Sequence, residues 1–308
     1  MRHLLSISDL PDEALRDIVA AGVRIATAKG RQRNSLDGVI IGMLFRQTST
    51  RTRTAFSVGA LRLGARIVTF QPADLQTNTG ETLADTARVL SLMLDALVVR
   101  TASDASELRV LAGQDDAAVI NAMDPAEHPT QALADLTAMA GHFGRIEGLK
   151  VLYVGEGNNT AAALALAMSR YPGVRLELRT PPGYGLPQPV LDQAAGYAGS
   201  SGATVTELHH MRDLPDKSDV IYTTRWQTTG TAKPDPDWRE LFAPFTVNAG
   251  LWDGSPDAVF MHDLPAHRGD EVTAEVLDGP RSIAFTQAAC KLYSAMAVLE
   301  WCCEEGRR

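Results

Sequence analysis

The sequence predicts an α/β fold built from two mainly parallel sheets flanked by helices. Three observations carry that reading. Short apolar runs alternate with stretches of helical spacing, the alternation restarts once, and the break falls in the glycine-bearing segment 144–148. With 308 residues, 45% of them apolar and 21% charged, the chain is long enough for two cores. Its composition is also too ordinary for a disordered, collagen-like or coiled-coil protein.

The first helix is expected to begin near Pro11, whose fixed φ suits a first turn, with Asp12 and Glu13 complementing the helix dipole. Strands follow at 39–45, 67–70, 96–99 and 118–120, separated by helices near 51–63, 81–94 and 106–112. Segment 129–142 reads as a helix with Ala132, Leu133, Leu136 and Ala140 on one face. The second alternation places strands at 151–154, 174–178, 220–222, 246–249 and 259–261, with helices at 159–170 and 189–197. A last helix covers 287–303, and the Pro- and Gly-rich stretches 181–189 and 228–236 read as loops. The expected division is therefore 1–143, with a C-terminal helix over 285–305 packing back on it, and 144–284.

A net charge of −8 argues against a general nucleic-acid binder, which needs a basic surface. The average hides an asymmetry: residues 1–70 hold eleven basic side chains against five acids, +6 net, leaving −14 for the remainder. A small anionic ligand held by the first part fits this balance. No apolar run reaches the ~18 residues of a membrane span. The opening MRHLLSISDLPDEAL has early acids and no apolar stretch ending in a cleavage site, so a cytoplasmic protein is expected. Cys290, Cys302 and Cys303 crowd the C-terminus in neither a disulfide nor a zinc pattern and read as free thiols.

The sharpest local feature is FRQTSTRTRTAF, residues 45–56, where a strand hands over to a helix. Unpaired N–H groups at a helix start attract an anion. Arg46, Arg51 and Arg53 at that same end oppose the dipole, at about 0.3–1 kcal/mol per charge, so something negative should compensate them. Ser49, Thr50 and Thr52 add hydroxyl donors suited to phosphate oxygens, and the Arg51 guanidinium can grip two oxygens at once. The plainer alternative is a Ser/Thr cap with arginines paired to local acids, but no acid lies between Phe45 and Phe56.

The string Ser-Thr-Arg-Thr-Arg at 49–53 resembles the phosphate-binding motif of the aspartate/ornithine carbamoyltransferase family, and four further landmarks follow in that family's order. Arg100 closes a strand, His128-Pro-Thr-Gln131 runs into ALADL, HDLPAHRG occupies 262–269, and DGPRSIAF comes late. The resemblance covers nearly the whole chain and implies that 1–143 binds carbamoyl phosphate and 144–284 the amino-acid acceptor. On it, Ser49, Thr50, Arg51 and Thr52 hold the phosphate, while Arg100 reaches both phosphate and carbonyl oxygen. His128 and Arg100 donate to the oxyanion, and Gln131 with the main-chain carbonyls near Asp263 and Leu264 fixes the donor's NH2. Lys291 stands where the ornithine branch carries an arginine, keeping the charge without the fork.

For the acceptor, GEGNN at 155–159 looks like the ornithine branch, whose asparagine, here Asn159, contacts the amino acid's carboxylate. TTRWQTTG at 223–230 departs from it, with Thr224 at an acidic position and with Arg225 and Gln227 resembling the aspartate-binding pair. Asp263 replaces that branch's cysteine and sets a carboxylate beside the nucleophilic nitrogen. The implied acceptor is an ornithine-like or other diamino acid; aspartate-type transfer is the alternative. Thr79 stands where the aspartate branch has a lysine on a loop shared between subunits, and the family implies a homotrimer. Neither a cofactor nor a metal is called for. Two rivals come from other classes. GEGNNT, with Glu177 some twenty residues on, imitates a dinucleotide fingerprint without its third glycine and so an NAD-dependent oxidoreductase. Thr79 and Lys291 motivate a noncatalytic binding homologue.

Overall fold

The computed structural model describes residues 2–101, 106–228 and 232–304, and within these the side chains of Pro72, Thr77 and Asn78 are left aside. Part of the loop expected at 228–236 (residues 229–231), Gly230 of the TTRWQTTG segment, and residue 305 of the expected last helix lie outside the described residues. The chain divides into two compact units, 1–141 together with 289–308, and 142–288.

In the first unit, β1 (Ile40–Phe45), β2 (Arg66–Phe70), β3 (Ala96–Arg100) and β4 (Ala118–Met123) form a parallel sheet in the order β2-β1-β3-β4. β3 and β4 are buried throughout, as apolar runs in a two-sided parallel sheet must be, whereas β2 is an edge strand with no fully buried residue. The helices are α1 (Asp12–Thr27), α2 (Arg51–Arg62), α3 (Leu83–Ser91), α4 (Ser106–Leu111) and α5 (Pro129–Phe143). Leu44, Leu97, Val99, Leu108, Leu111 and Val119 knit one face of this sheet to its helices. Each such buried side chain contributes about 1.5–3 kcal/mol.

In the second unit, β5 (Lys150–Val154), β6 (Arg175–Arg179), β7 (Thr204–Leu208), β8 (Val220–Thr223) and β9 (Val259–His262) are parallel in the order β7-β6-β5-β8-β9. Its helices are α6 (Asn159–Met168), α7 (Gln188–Ser201), α8 (Trp238–Phe242) and α9 (Ala274–Leu277); α10 (Ala284–Cys303) closes the chain. Leu152, Val154, Ile221, Trp252 and Phe260 lie at the centre of one core face.

Two strand expectations change. The strand expected at 246–249 does not form: Val247 makes one isolated bridge to Val272, and Ala249–Trp252 is a 3-10 turn. The Asn248 side chain accepts from Gly250 N at 3.0 Å, and this local bond competes with strand pairing. β7 went unpredicted because it is an edge strand, TVTEL, whose exposure alternates and whose apolar content is slight. Pro11 sits at the N-cap of α1 rather than inside its first turn.

The strand orders fix where ligands can gather. In a doubly wound sheet the chain leaves two neighbouring strands toward opposite sides, opening a crevice at their C-terminal ends. That point falls between β1 and β3 in the first unit and between β5 and β8 in the second.

Candidate active site

The first unit brings the arginine-rich segment to its switch point. β1 ends at Phe45 and α2 begins at Arg51, so residues 46–50 make the turn, while β3 ends alongside at Arg100. Thr50, the N-cap of α2, makes no side-chain capping bond, and the first turn contains no acid. The cap of the plainer alternative is therefore unmet, and the helix start keeps its positive character, although one arginine of the segment does find an acid. Ser49 and Arg51 are half-buried, Thr50 is exposed, and Thr52 is buried. Two of the segment's other arginines are committed: Arg46 pairs with Glu107 at 2.5 Å, and the Arg53 guanidinium lies over the Phe45 ring at 5.0 Å. Arg51 is the arginine of the segment whose charge acts on Arg100 at the end of β3.

Arg100 is buried, and its pKa is brought down to about 10, first by burial and then by the neighbouring Arg51. Its Nε and the Thr101 hydroxyl are buried without hydrogen-bond partners among the described residues. His128 belongs to the same group. Burial, followed by Lys291 and Arg100, pushes its pKa well below 6.5, so the ring is neutral. Its Nδ1 lies 3.4 Å from the Thr130 hydroxyl. Two guanidinium groups and an ammonium thus converge, and among the described residues no carboxylate pairs with Arg100, an arrangement that favours an anion.

Gln131 is held from two sides. Its amide oxygen accepts from Lys291 Nζ, and its amide N donates to Asp135 Oδ1 at 2.7 Å, at 1% exposure. A nearly buried ammonium beside a buried amide must be satisfied, and the oxygen keeps a second lone pair. Thr79 bonds locally, its hydroxyl donating to Gln76 O at 2.8 Å.

Sequence reading overlooked Glu127, beside His128. Burial raises its pKa to about 7, although Ser6 Oγ at 2.6 Å and Ile7 N at 2.7 Å donate to its carboxylate. The folded chain therefore keeps this proton between the ordinary 4.5 and about 7 while the unfolded chain has lost it. Stability should fall across that window as pH rises, by about 3 kcal/mol, and level off above it. Glu127→Gln, which preserves both contacts if its amide nitrogen faces Ser6 Oγ, should abolish that slope in denaturant titrations run from pH 4 to 8; an unchanged slope would assign it to other groups.

In the second unit the turn 155–158 leaves β5 at the other switch point. Gly155 has φ +132°, and a Cβ on Gly157 would lie 2.4 Å from the backbone of Gly185 and Leu186, so only glycine fits there. Asn158 is the N-cap of α6, its side chain accepting from Thr160 N and Ala161 N at 3.0 and 3.1 Å. Asn159, the asparagine singled out from the sequence, is the first helical residue and 4% exposed.

Thr224 is fully buried, its hydroxyl shared with Tyr153 Oη at 3.0 Å and Asn158 Nδ2 at 3.1 Å. A residue so placed orients Asn158 at the cap of α6. Arg225 and Gln227 are half-buried, and Arg225 makes no ion pair among the described residues. Trp226 packs against Phe242 and Trp238.

Asp263 Oδ2 accepts from Thr160 Oγ1 at 3.0 Å, which ties the loop after β9 to the first turn of α6. His262 holds that loop: its buried Nδ1 accepts from Leu264 N at 2.8 Å, so Nε2 carries the proton and faces Glu271 Oε1 at 3.2 Å. Leu264 has φ +53°, a left-handed conformation costly for a branched residue and characteristic of functional loops. Glu177, which a dinucleotide site would turn to a ribose, is bound to Arg179 at 2.5 Å. His209 and His210 are engaged with Thr180 and Arg179.

Two doubly wound units, one with an anion seat at its switch point and the other with a capped, glycine-rich turn, define a group-transfer enzyme acting on an anionic donor. The chain matches the Aspartate/ornithine carbamoyltransferase, carbamoyl-P binding domain over residues 2–140 and the Asp/Orn binding domain over 147–302, and it belongs to that family. It is 39% identical to the ornithine carbamoyltransferase of Thermococcus kodakarensis over 301 residues, which covers 97% of this chain and 95% of the relative. The ornithine carbamoyltransferase structure from Pyrococcus furiosus matches with a TM-score of 0.90 at 38% identity, covering 97% and 96% of the two chains. Aspartate transcarbamoylase from Trypanosoma cruzi, solved with carbamoyl aspartate and phosphate, matches at 0.85 and 27% identity, covering 97% and 95%. The protein is a carbamoyltransferase that moves the carbamoyl group of carbamoyl phosphate to an amino acid.

Proposed function

We propose that the acceptor is a diamino acid of the ornithine type. The observation that carries this is Asp263, whose carboxylate is held by Thr160 at the start of α6. A carboxylate there favours an acceptor bearing more than one amine, while the helix start with Asn159, Arg225 and Gln227 favours the acceptor's own carboxylate. Ornithine is also what two of the three relatives named above are called after. The half-buried Arg225 supports aspartate-type transfer as the second reading.

In the first unit Ser49, Thr50, Arg51 and Thr52 seat the donor's phosphate, and Arg100 spans phosphate and carbonyl oxygen. The neutral amine attacks the carbonyl carbon, and charge builds on the carbonyl oxygen. Arg100 and the neutral His128, through the proton on Nε2 when Nδ1 faces Thr130, donate to that oxygen. The carbon–oxygen bond to phosphate then breaks, and the departing phosphate takes the amine's proton. Positioning and charge stabilisation suffice for this step, and no protein nucleophile is needed. Lys291 holds Gln131 and adds positive charge.

The test is phosphate release from carbamoyl phosphate with ornithine, shorter diamino acids and aspartate supplied in parallel. A diamino acid should be turned over in preference to aspartate; turnover of aspartate alone overturns the acceptor reading, and turnover of none overturns the activity. A cytoplasmic homotrimer is part of the same proposal. Free, buried thiols support a reducing setting. Exposed Leu61, Val68, Val89, Leu92 and Met93 on the first unit support assembly. Light scattering should give three chains per particle, and an active monomer would remove that part of the reading.

A further inference from the structure

Lys233 has no part in the chemistry above, yet the fold encloses it. Its side chain is 3% exposed, and its Nζ lies 2.5 Å from Glu156 Oε1. The rings of Tyr184, Phe242 and Trp238 surround the ammonium, with centroids at 4.4, 4.5 and 5.2 Å. These rings also contact one another, Tyr184 on Phe242 and Phe242 on Trp238, so the cage has rigid walls. It draws on three separate segments: the loop after β6, the excursion after β8, and α8. An ammonium is tolerated in such a place only when a carboxylate and aromatic faces replace its water.

The carboxylate is the informative partner. Glu156 lies inside the turn 155–158, two residues before the cap of α6; the Thr228 backbone N–H also favours its charged form, and among the described residues its buried Oε2 has no hydrogen-bond partner. Left alone, an anion at Glu156 would share the turn with an incoming carboxylate and repel it. Burial already disfavours the charged form of Glu156, while Lys233 favours it. We propose that Lys233 is a positioning residue that neutralises Glu156 and so makes the turn 155–158 receptive to the acceptor's carboxylate, the aromatic rings fixing the ammonium where it does so. This rests on the reading of that turn as the acceptor's seat.

The experiment compares wild type, Lys233→Met, Glu156→Gln and the double variant at saturating carbamoyl phosphate. The acceptor is whichever panel amino acid turns over, ornithine being the expected one, and the buffer is alkaline enough to keep a lone carboxyl ionised. Lys233→Met should raise the acceptor KM about tenfold or more while kcat and the donor KM stay within about threefold. Removing the carboxylate as well should restore the acceptor KM, because the repulsion disappears with Glu156. A double variant as impaired as Lys233→Met would reduce the lysine to a staple, and a single variant with an unchanged acceptor KM would also overturn the proposal. Asn159→Ala and Arg225→Ala, measured alongside, separate the two readings. If neither raises the acceptor KM, the acceptor's seat is misplaced; if they do and the double variant is not rescued, only the role of Lys233 fails.

Discussion

Replacing Arg51 by alanine is expected to lower affinity for carbamoyl phosphate, and for a phosphonate mimic of it, by about a thousandfold, which corresponds to roughly 4 kcal/mol for a charge-assisted contact in a desolvated site. The expectation follows from what surrounds the residue. The start of α2 has neither a capping side chain nor an acid, and the buried Arg100 is held down to about 10 partly by Arg51 itself. Arg51 also bears on Arg100, whose charge it disfavours. The same substitution should leave the free protein's melting temperature close to that of wild type, since relief of that repulsion offsets the loss of the contact Arg51 itself makes. Calorimetric titration with the mimic and thermal melts of the free protein check the two halves. Unaltered affinity would remove Arg51 from the site, and a collapse in melting temperature would make its role structural. Arg51→Lys should fall between the two proteins in affinity, because it retains charge but loses the fork.

His128→Ala is expected to reduce kcat by about a hundred- to a thousandfold while the donor's KM changes little, as is typical when a donor to a developing oxyanion is removed. The pH dependence carries a second expectation. Because burial, Lys291 and Arg100 push His128 well below 6.5, the ring stays neutral across the assay range. The rise of activity with pH should then report deprotonation of the amine, with no inflection from this histidine. The sign for stability is the reverse of that for Glu127. An unfolded His128 takes a proton below 6.5 and the folded one resists it, so stability is full above that pH and declines as pH falls. The alanine variant should lose that acid-side decline, which denaturant titrations at several pH values would show. A kcat near wild type would remove His128 from the chemistry.

Much of the fold was readable because apolar periodicity is a local property. Among the described residues, eight of the nine strands coincide with apolar runs, and α2, α5 and α10 follow the spacing of their buried faces. What escaped was set by competition or by neighbours. β7 pairs along an edge with little apolar content, and the run at 246–249 loses to the Asn248 turn. In the site, the 49–53 motif was legible because hydroxyl and guanidinium groups were concentrated at a strand-to-helix handover. The asparagine that caps α6 was missed in favour of its neighbour, although an Asn ahead of an apolar helix is a readable N-cap signal. Nothing in the spacing of Lys233, Tyr184, Trp238 and Glu156 announces that they meet.

By itself, then, the sequence determined the fold class, the family and the place of the arginine-rich turn. Each depends on residue type and order over short stretches, where backbone propensity and apolar spacing act directly. Only the tertiary structure decided which polar groups remain available. It ties the Gln131 oxygen to Lys291, encloses Thr224 between Tyr153 and Asn158, and cages Lys233 against Glu156. Burial makes most polar atoms find partners, and those partners come from distant parts of the chain that only the folded topology brings within reach.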